Sequence, residues 1–126
     1  MILSYDEVGE ILDAAAEELP ERFFEGLTGG ILLMEEEQPD LEAGADMYIL
    51  GEYCEDELGR YILIYYGSFV ALFEEEPREV WEEELRITLS HELTHHMENR
   101  SGLHALEDRD EAELALWKQQ NSELED

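Results

Sequence analysis

The sequence predicts an α+β domain, and three observations carry that prediction. Apolar residues recur at helical spacing near the N-terminus, short β-rich runs follow in the middle, and from Pro77 to about Ser101 neither proline nor glycine interrupts the chain. At 126 residues one domain spanning 1–126 is expected, large enough to bury a single core.

The first helix is expected over about residues 5 to 19, because Val8, Ile11, Leu12, Ala15, Ala16 and Leu19 share one stripe. Ser4 followed three residues later by Glu7 has the form of a capping box, and Pro20 bars clean continuation. Phe23, Phe24 and Leu27 suggest a short second helical turn that stops at Gly29-Gly30. Ile31 to Met34 is short enough for a strand, and Glu35 to Glu42, acidic and broken by Pro39, reads as an exposed loop. Met47 to Tyr53 and Arg60 to Tyr66 are β-rich runs, expected to pair as a hairpin with a loop of about five or more residues. A helix of about 24 residues then fits Pro77 to Ser101, with Glu79, Glu82 and Glu83 at its dipole-favoured start and Gly102 as a cap. A short helix is expected around Asp110 to Lys118, and residues 119–126 form a frayed acidic tail.

Charge narrows the partners. With 35 Asp+Glu against 7 Lys+Arg the formal charge is -28, and Lys118 is the single lysine. Such a chain lacks the cationic surface that nucleic acid or an anionic membrane requires, so neither partner is expected. No apolar stretch approaches the length of a membrane span and no basic n-region opens the chain, so a cytoplasmic location is expected. Cys54 is the only cysteine, which leaves no internal disulfide and reads as a small residue within a strand. The runs Glu35–Glu37, Glu74–Glu76 and Glu82–Glu84 read as solvated faces that can also steer a basic peptide or protein toward the surface.

The chemistry concentrates in one place. All four histidines lie between positions 91 and 104, and His91-Glu92-Leu93-Thr94-His95-His96 contains HExxH inside the long predicted helix. At about 100° per residue, His91 and His95 sit one turn apart on nearly the same face, so both imidazoles reach one metal ion. Two histidines so placed suit Zn2+. Glu92, about 100° around from His91, flanks that ion, where a carboxylate serves as general base toward a metal-bound water attacking a carbonyl. His96, about 140° around, is expected to pack or hydrogen-bond on another face.

The run Ile87 to His96, preceded by Tyr-Ile-Leu-Ile-Tyr-Tyr-Gly and by the N-terminal Ala-Ala-Ala-Glu-Glu-Leu-Pro, resembles the small bacterial minimal-zincin family of zinc-dependent metallopeptidases. The resemblance spans roughly residues 5 to 112 and implies a minimal zincin-like fold: a small sheet packed with an N-terminal helix and a long HExxH helix. It also implies His91 and His95 as zinc ligands and Glu92 as the catalytic residue. One departure concerns the third ligand. Where related HExxHxxG patterns place glycine and then a ligand, this chain has Glu98 and Ser101, and serine is a weak zinc ligand. Glu98 returns to the metal face but lies about 4.5 Å further along the axis than His95, while His104 or Asp110, with Glu107 and Asp108 beside them, would have to fold back after Gly102.

Two functions follow from different classes. One is a zinc metallopeptidase cleaving peptide bonds with Glu92 as general base. The other is a non-catalytic binding or adaptor module, a zincin scaffold that recognises a basic protein partner. The charge itself has a measurable consequence under either. Salt screens repulsion among the acidic groups, so the thermal midpoint is expected to rise between 0.1 M and 1 M NaCl; a midpoint that falls would show that attractive ion pairs outweigh the repulsion.

Overall fold

Ser4 and Glu7 open the first helix as their spacing predicts. The Ser4 side chain accepts from the Glu7 amide, and the Glu7 carboxylate accepts from the Ser4 amide, each at 3.1 Å, so two otherwise orphaned donors are satisfied reciprocally. The computed structural model describes residues 2–44, 47–57 and 59–103. Its elements are α1 (Tyr5–Glu17), a 3-10 turn (Glu21–Phe24), β1 (Gly30–Met34), β2 (Gly51–Asp56), β3 (Gly59–Tyr65), α2 (Tyr66–Phe73) and α3 (Arg78–Leu103). Among the described residues, three helices and a small mixed sheet make the fold α+β. The helix expected over Asp110 to Lys118 and the 119–126 tail lie outside the described residues.

The sheet order is β1-β3-β2, with β1 parallel and β2 antiparallel to β3. Among the described residues both β1 and β2 are therefore edge strands. Ile62 and Ile64 of β3 are fully buried, and the core forms where they meet Val8, Ile11, Leu12 and Ala15 of α1 and one stripe of α3. That stripe is Trp81, Leu85, Leu89, Leu93 and Met97, recurring every four residues. Trp81 is wholly buried, and its indole N–H donates to the Phe73 carbonyl at 2.8 Å, which ties the end of α2 to the start of α3.

Several boundaries differ from the sequence expectation. Residues 47–50 precede the strand: Pro39 and Tyr48 form an isolated bridge, the Met47 carbonyl accepts from Asp40, and Ile49 donates to Gln38. Regular pairing begins only at Gly51. At the other end, the hairpin loop is two residues long, because Glu55 and Asp56 pair opposite Arg60 and Gly59. Their charges read as loop, but Glu55 meets the Arg60 guanidinium at 2.7 Å and Asp56 accepts from Tyr61 at 2.8 Å. Cross-strand partners thereby hold acidic residues in the ladder.

Tyr66 belongs to α2 and not to the strand, and the helix Tyr66–Phe73 has no counterpart in the sequence reading. Its residues, Tyr-Gly-Ser-Phe-Val-Ala-Leu-Phe, are apolar without a helical stripe, and Gly67 argues against a helix on propensity alone. Tertiary crowding explains the glycine: a Cβ there would lie 2.5 Å from the Glu37 backbone nitrogen. The long helix also continues through Gly102 to Leu103, since a glycine permits termination without imposing it.

The contact that positions the site is between β2 and α3. A Cβ on Gly51 would lie 2.8 Å from Thr88 Cγ2 and 3.1 Å from the Leu63 carbonyl oxygen, closer than packed atoms tolerate. Gly51→Ala is therefore expected to push the strand off the helix and cost about 1–3 kcal/mol, the usual range for overpacking. Urea unfolding measures this, and parental stability in the variant would show that the strand is not pinned there.

Candidate metal centre

Because α3 turns its apolar stripe to the core, the neighbouring face carrying His91, Glu92 and His95 lies beside β2. His91 and His95 are exposed while Glu92 is buried. The two histidine Nε2 atoms are 3.2 Å apart, and one donor atom from each of the three residues falls within 4.8 Å of the others. Two nitrogens each about 2.0–2.1 Å from a tetrahedral zinc ion stand about 3.3 Å apart, so the donor set fits a metal of that size. Among the described residues this is where such a cluster forms. His91, Glu92 and His95 can hold a metal ion.

Glu92 is only 6% exposed, and burial raises its pKa to about 7, with the nearby Glu52 charge pushing the same way and the Tyr53 backbone N–H opposing. Glu52 is itself fixed, its carboxylate accepting from the Tyr65 hydroxyl at 2.8 Å.

His96 lies on a different face, as its angle predicts, and is fully buried. Its Nε2 is 2.7 Å from the Glu25 carbonyl and its Nδ1 is 2.9 Å from the Tyr53 hydroxyl. A carbonyl only accepts, so Nε2 carries the proton and Nδ1 accepts from the phenol. Burial holds this imidazole below its ordinary pKa, against the opposing effect of the Glu25 hydrogen bond, which keeps the ring neutral. Tyr53 thus joins β2 to α3 twice, through its hydroxyl to His96 and its amide to Glu92.

The remaining sequence candidates are placed unequally. Glu98 lines the same cleft, with its carboxylate 3.9 Å from His95 Nδ1. It therefore approaches the ring nitrogen other than the one facing His91, outside the converging trio. His104 and Asp110, with Glu107 and Asp108, lie outside the described residues. Gly51, Glu52 and Tyr53 escaped the sequence reading although all three line the cleft. The available signal was a glycine inside a β-rich run, which marks a close approach by another chain segment or a ligand.

The cleft has a volume of about 620 Å³ and is bounded by β2 and the C-terminal half of α3. An HExxH helix packed on the edge of a small mixed sheet, with its imidazoles converging on one point, is the arrangement of a candidate zincin-type metal site. The family model for zincin-like metallopeptidases matches residues 29–115, more than half of the chain, and the protein belongs to that family. Among solved structures, a conserved hypothetical protein from Thermo thermophilus is similar at 33% identity, with 80% of this chain and 100% of that chain covered and a TM-score of 0.72. No curated protein matches the chain. Among the described residues no helix is long and apolar enough to cross a membrane.

The raised Glu92 pKa sets a pH dependence for the metal-free protein. Between the ordinary value of 4.5 and about 7, the folded chain binds more proton at this site than the unfolded chain, so its contribution to stability is lost as pH rises across that interval. Glu92→Gln keeps the shape and removes the titration. With chelator present, the variant is expected to be more stable than the parent near pH 8, with the gap closing toward about pH 5. Urea unfolding at both pH values tests this, and a gap independent of pH would show that burial does not penalise the carboxylate.

Proposed function

We infer that this protein is a zinc-dependent peptidase that hydrolyses peptide bonds with Glu92 as general base. The observation that carries the reading is the convergence of His91 Nε2 and His95 Nε2 at 3.2 Å beside a buried carboxylate. Zinc held by the two imidazoles would polarise a scissile carbonyl and acidify an adjacent water.

The protein's own residues account for the rest. Beside a dication, Glu92 is favoured in its ionised form, and the Tyr53 amide holds it toward the cleft. It takes one proton from the attacking water as the new C–O bond forms. It then passes that proton to the amide nitrogen as the C–N bond breaks, leaving a carboxyl group and an amine. Substrate orientation follows from the sheet. The Leu50 carbonyl accepts from Tyr65 in the β2–β3 ladder, so by alternation the backbone groups of Gly51 and Tyr53 face away from β3. Gly51 and Tyr53 line the cleft, and although the Tyr53 N–H is turned to Glu92, the outward-facing groups of Gly51 and the Tyr53 carbonyl suit pairing with an extended peptide chain.

Metal content and hydrolysis test the reading together. Protein purified without added metal is expected to carry zinc near one equivalent, and His91→Ala with His95→Ala to lose it; zinc retained by the double variant would overturn the ligand assignment. Glu92→Gln is expected to keep zinc while peptide hydrolysis falls by about 10²–10⁴, the usual worth of general-base assistance. Equal hydrolysis by parent and variant would overturn the role given to Glu92.

A further inference from the structure

The metal centre is the midpoint of a longer groove. Beyond His91 toward the N-terminal end of α3, a second cavity of about 370 Å³ is lined by Tyr48, Ile49, Leu50 and Ile87, together with Asp40 and Glu84. Gly51, His91 and Glu92 line both cavities, so the two adjoin at the candidate centre. The chain runs in the same order along both walls: 48–51 faces 84–92, and 51–53 faces 91–99. From Glu84 to Asn99 the helix rises about 22 Å, the length of about six or seven residues of extended peptide.

Each lobe is lined by three carboxylates, Glu52, Glu92 and Glu98 in one and Asp40, Glu84 and Glu92 in the other, and the two differ in their apolar lining. The lobe toward the C-terminal end presents Glu52 and Glu98 beside Asn99, and its one large apolar contribution is the Tyr53 ring, already turned to His96. The other lobe offers a contiguous apolar wall from three successive residues and Ile87. One oxygen of its Asp40 carboxylate, Oδ1, accepts from the Glu42 and Ala43 amides at 3.2 Å. Among the described residues, no lysine or arginine lines either cavity.

Resting on the reading of this cleft as a peptide site, the geometry points to a substrate class: an extended peptide with lysine or arginine on one side of the scissile bond and a large apolar side chain on the other. Glu52 and Glu98 determine the basic preference, and the 48–50 wall with Ile87 determines the apolar one. Glu52 is the more directional of the two carboxylates, because the Tyr65 hydroxyl holds it in place. Glu98, with a 69% exposed side chain, reaches the cation from the opposite wall. Desolvation inside a cleft strengthens such pairs relative to the screened surface runs.

Binding tests this separately from catalysis. Four fluorescent hexapeptides, combining Arg or Glu on one side with Phe or Ser on the other, are titrated by anisotropy against the full-length Glu92→Gln chain, with and without zinc. The Arg/Phe peptide is expected to bind at least tenfold tighter than Glu/Phe, with the preference shrinking as salt increases. The cleft pair Glu52→Gln with Glu98→Gln is expected to remove most of that preference, whereas Glu74→Gln with Glu75→Gln, equal in charge but outside the groove, preserves it. Ile87→Ala is expected to reduce the Phe-over-Ser preference several-fold. Equal binding of Arg and Glu peptides, a preference that survives the cleft pair, or no measurable binding of Arg/Phe at millimolar peptide overturns the inference. Hydrolysis of mixed peptides without this pattern would retain the peptidase and sink the specificity; the pattern without any hydrolysis by the zinc-loaded parent would do the reverse.

Discussion

The close contact between an edge strand and a helix governs this molecule. β2 approaches α3 near Gly51 and Thr88, at a distance where a side chain on the strand would collide with the helix. Two further ties then fall into register: the Tyr53 hydroxyl to the buried His96, and the Tyr53 amide to Glu92. His96 in turn donates to Glu25 just after the 3-10 turn, so a single buried ring connects the strand, the helix and the N-terminal segment. A neutral imidazole suits this place because it offers one donor and one acceptor at fixed angles. The HExxHH sequence therefore divides its histidines by function: two face the cleft and the third braces the wall opposite them.

Electrostatics acts on two scales. Across the surface, a charge of -28 opposes compaction and is softened by salt. Within the cleft, burial and the neighbouring Glu52 favour the protonated form of Glu92 when no cation is present, whereas a dication reverses that preference. The same arrangement that makes the carboxylate costly to bury thus makes the site receptive to positive charge. It also separates local effects from global ones, since two carboxylates removed from the groove barely change the total charge but alter the field where a ligand sits.

The residues that were legible in advance share a property: their partners are near in sequence. Ser4 and Glu7 find each other across one turn, and so do His91 and His95. Those that were not legible depend on distant segments. α2 had no counterpart in the sequence reading because its run is apolar on all sides, without a helical stripe, and contains Gly67, and only the approach of the Glu36–Glu37 backbone explains that glycine. Glu55 and Asp56 looked like loop because their compensating partners, Arg60 and Tyr61, are defined only once the strands pair.

By itself the sequence determined the α+β class, the helical placement of the HExxH pair and the angular offset of Glu92 and His96, because 3.6 residues per turn converts spacing directly into geometry. Tertiary structure alone decided how those side chains are used. Burial set the Glu92 pKa, the β2 edge supplied Gly51, Glu52 and Tyr53 to the cleft, and the Glu25 carbonyl selected the His96 tautomer. Hydrogen bonds and desolvation between segments some 40 to 70 positions apart carry no local period, so these properties emerge only when strand and helix meet.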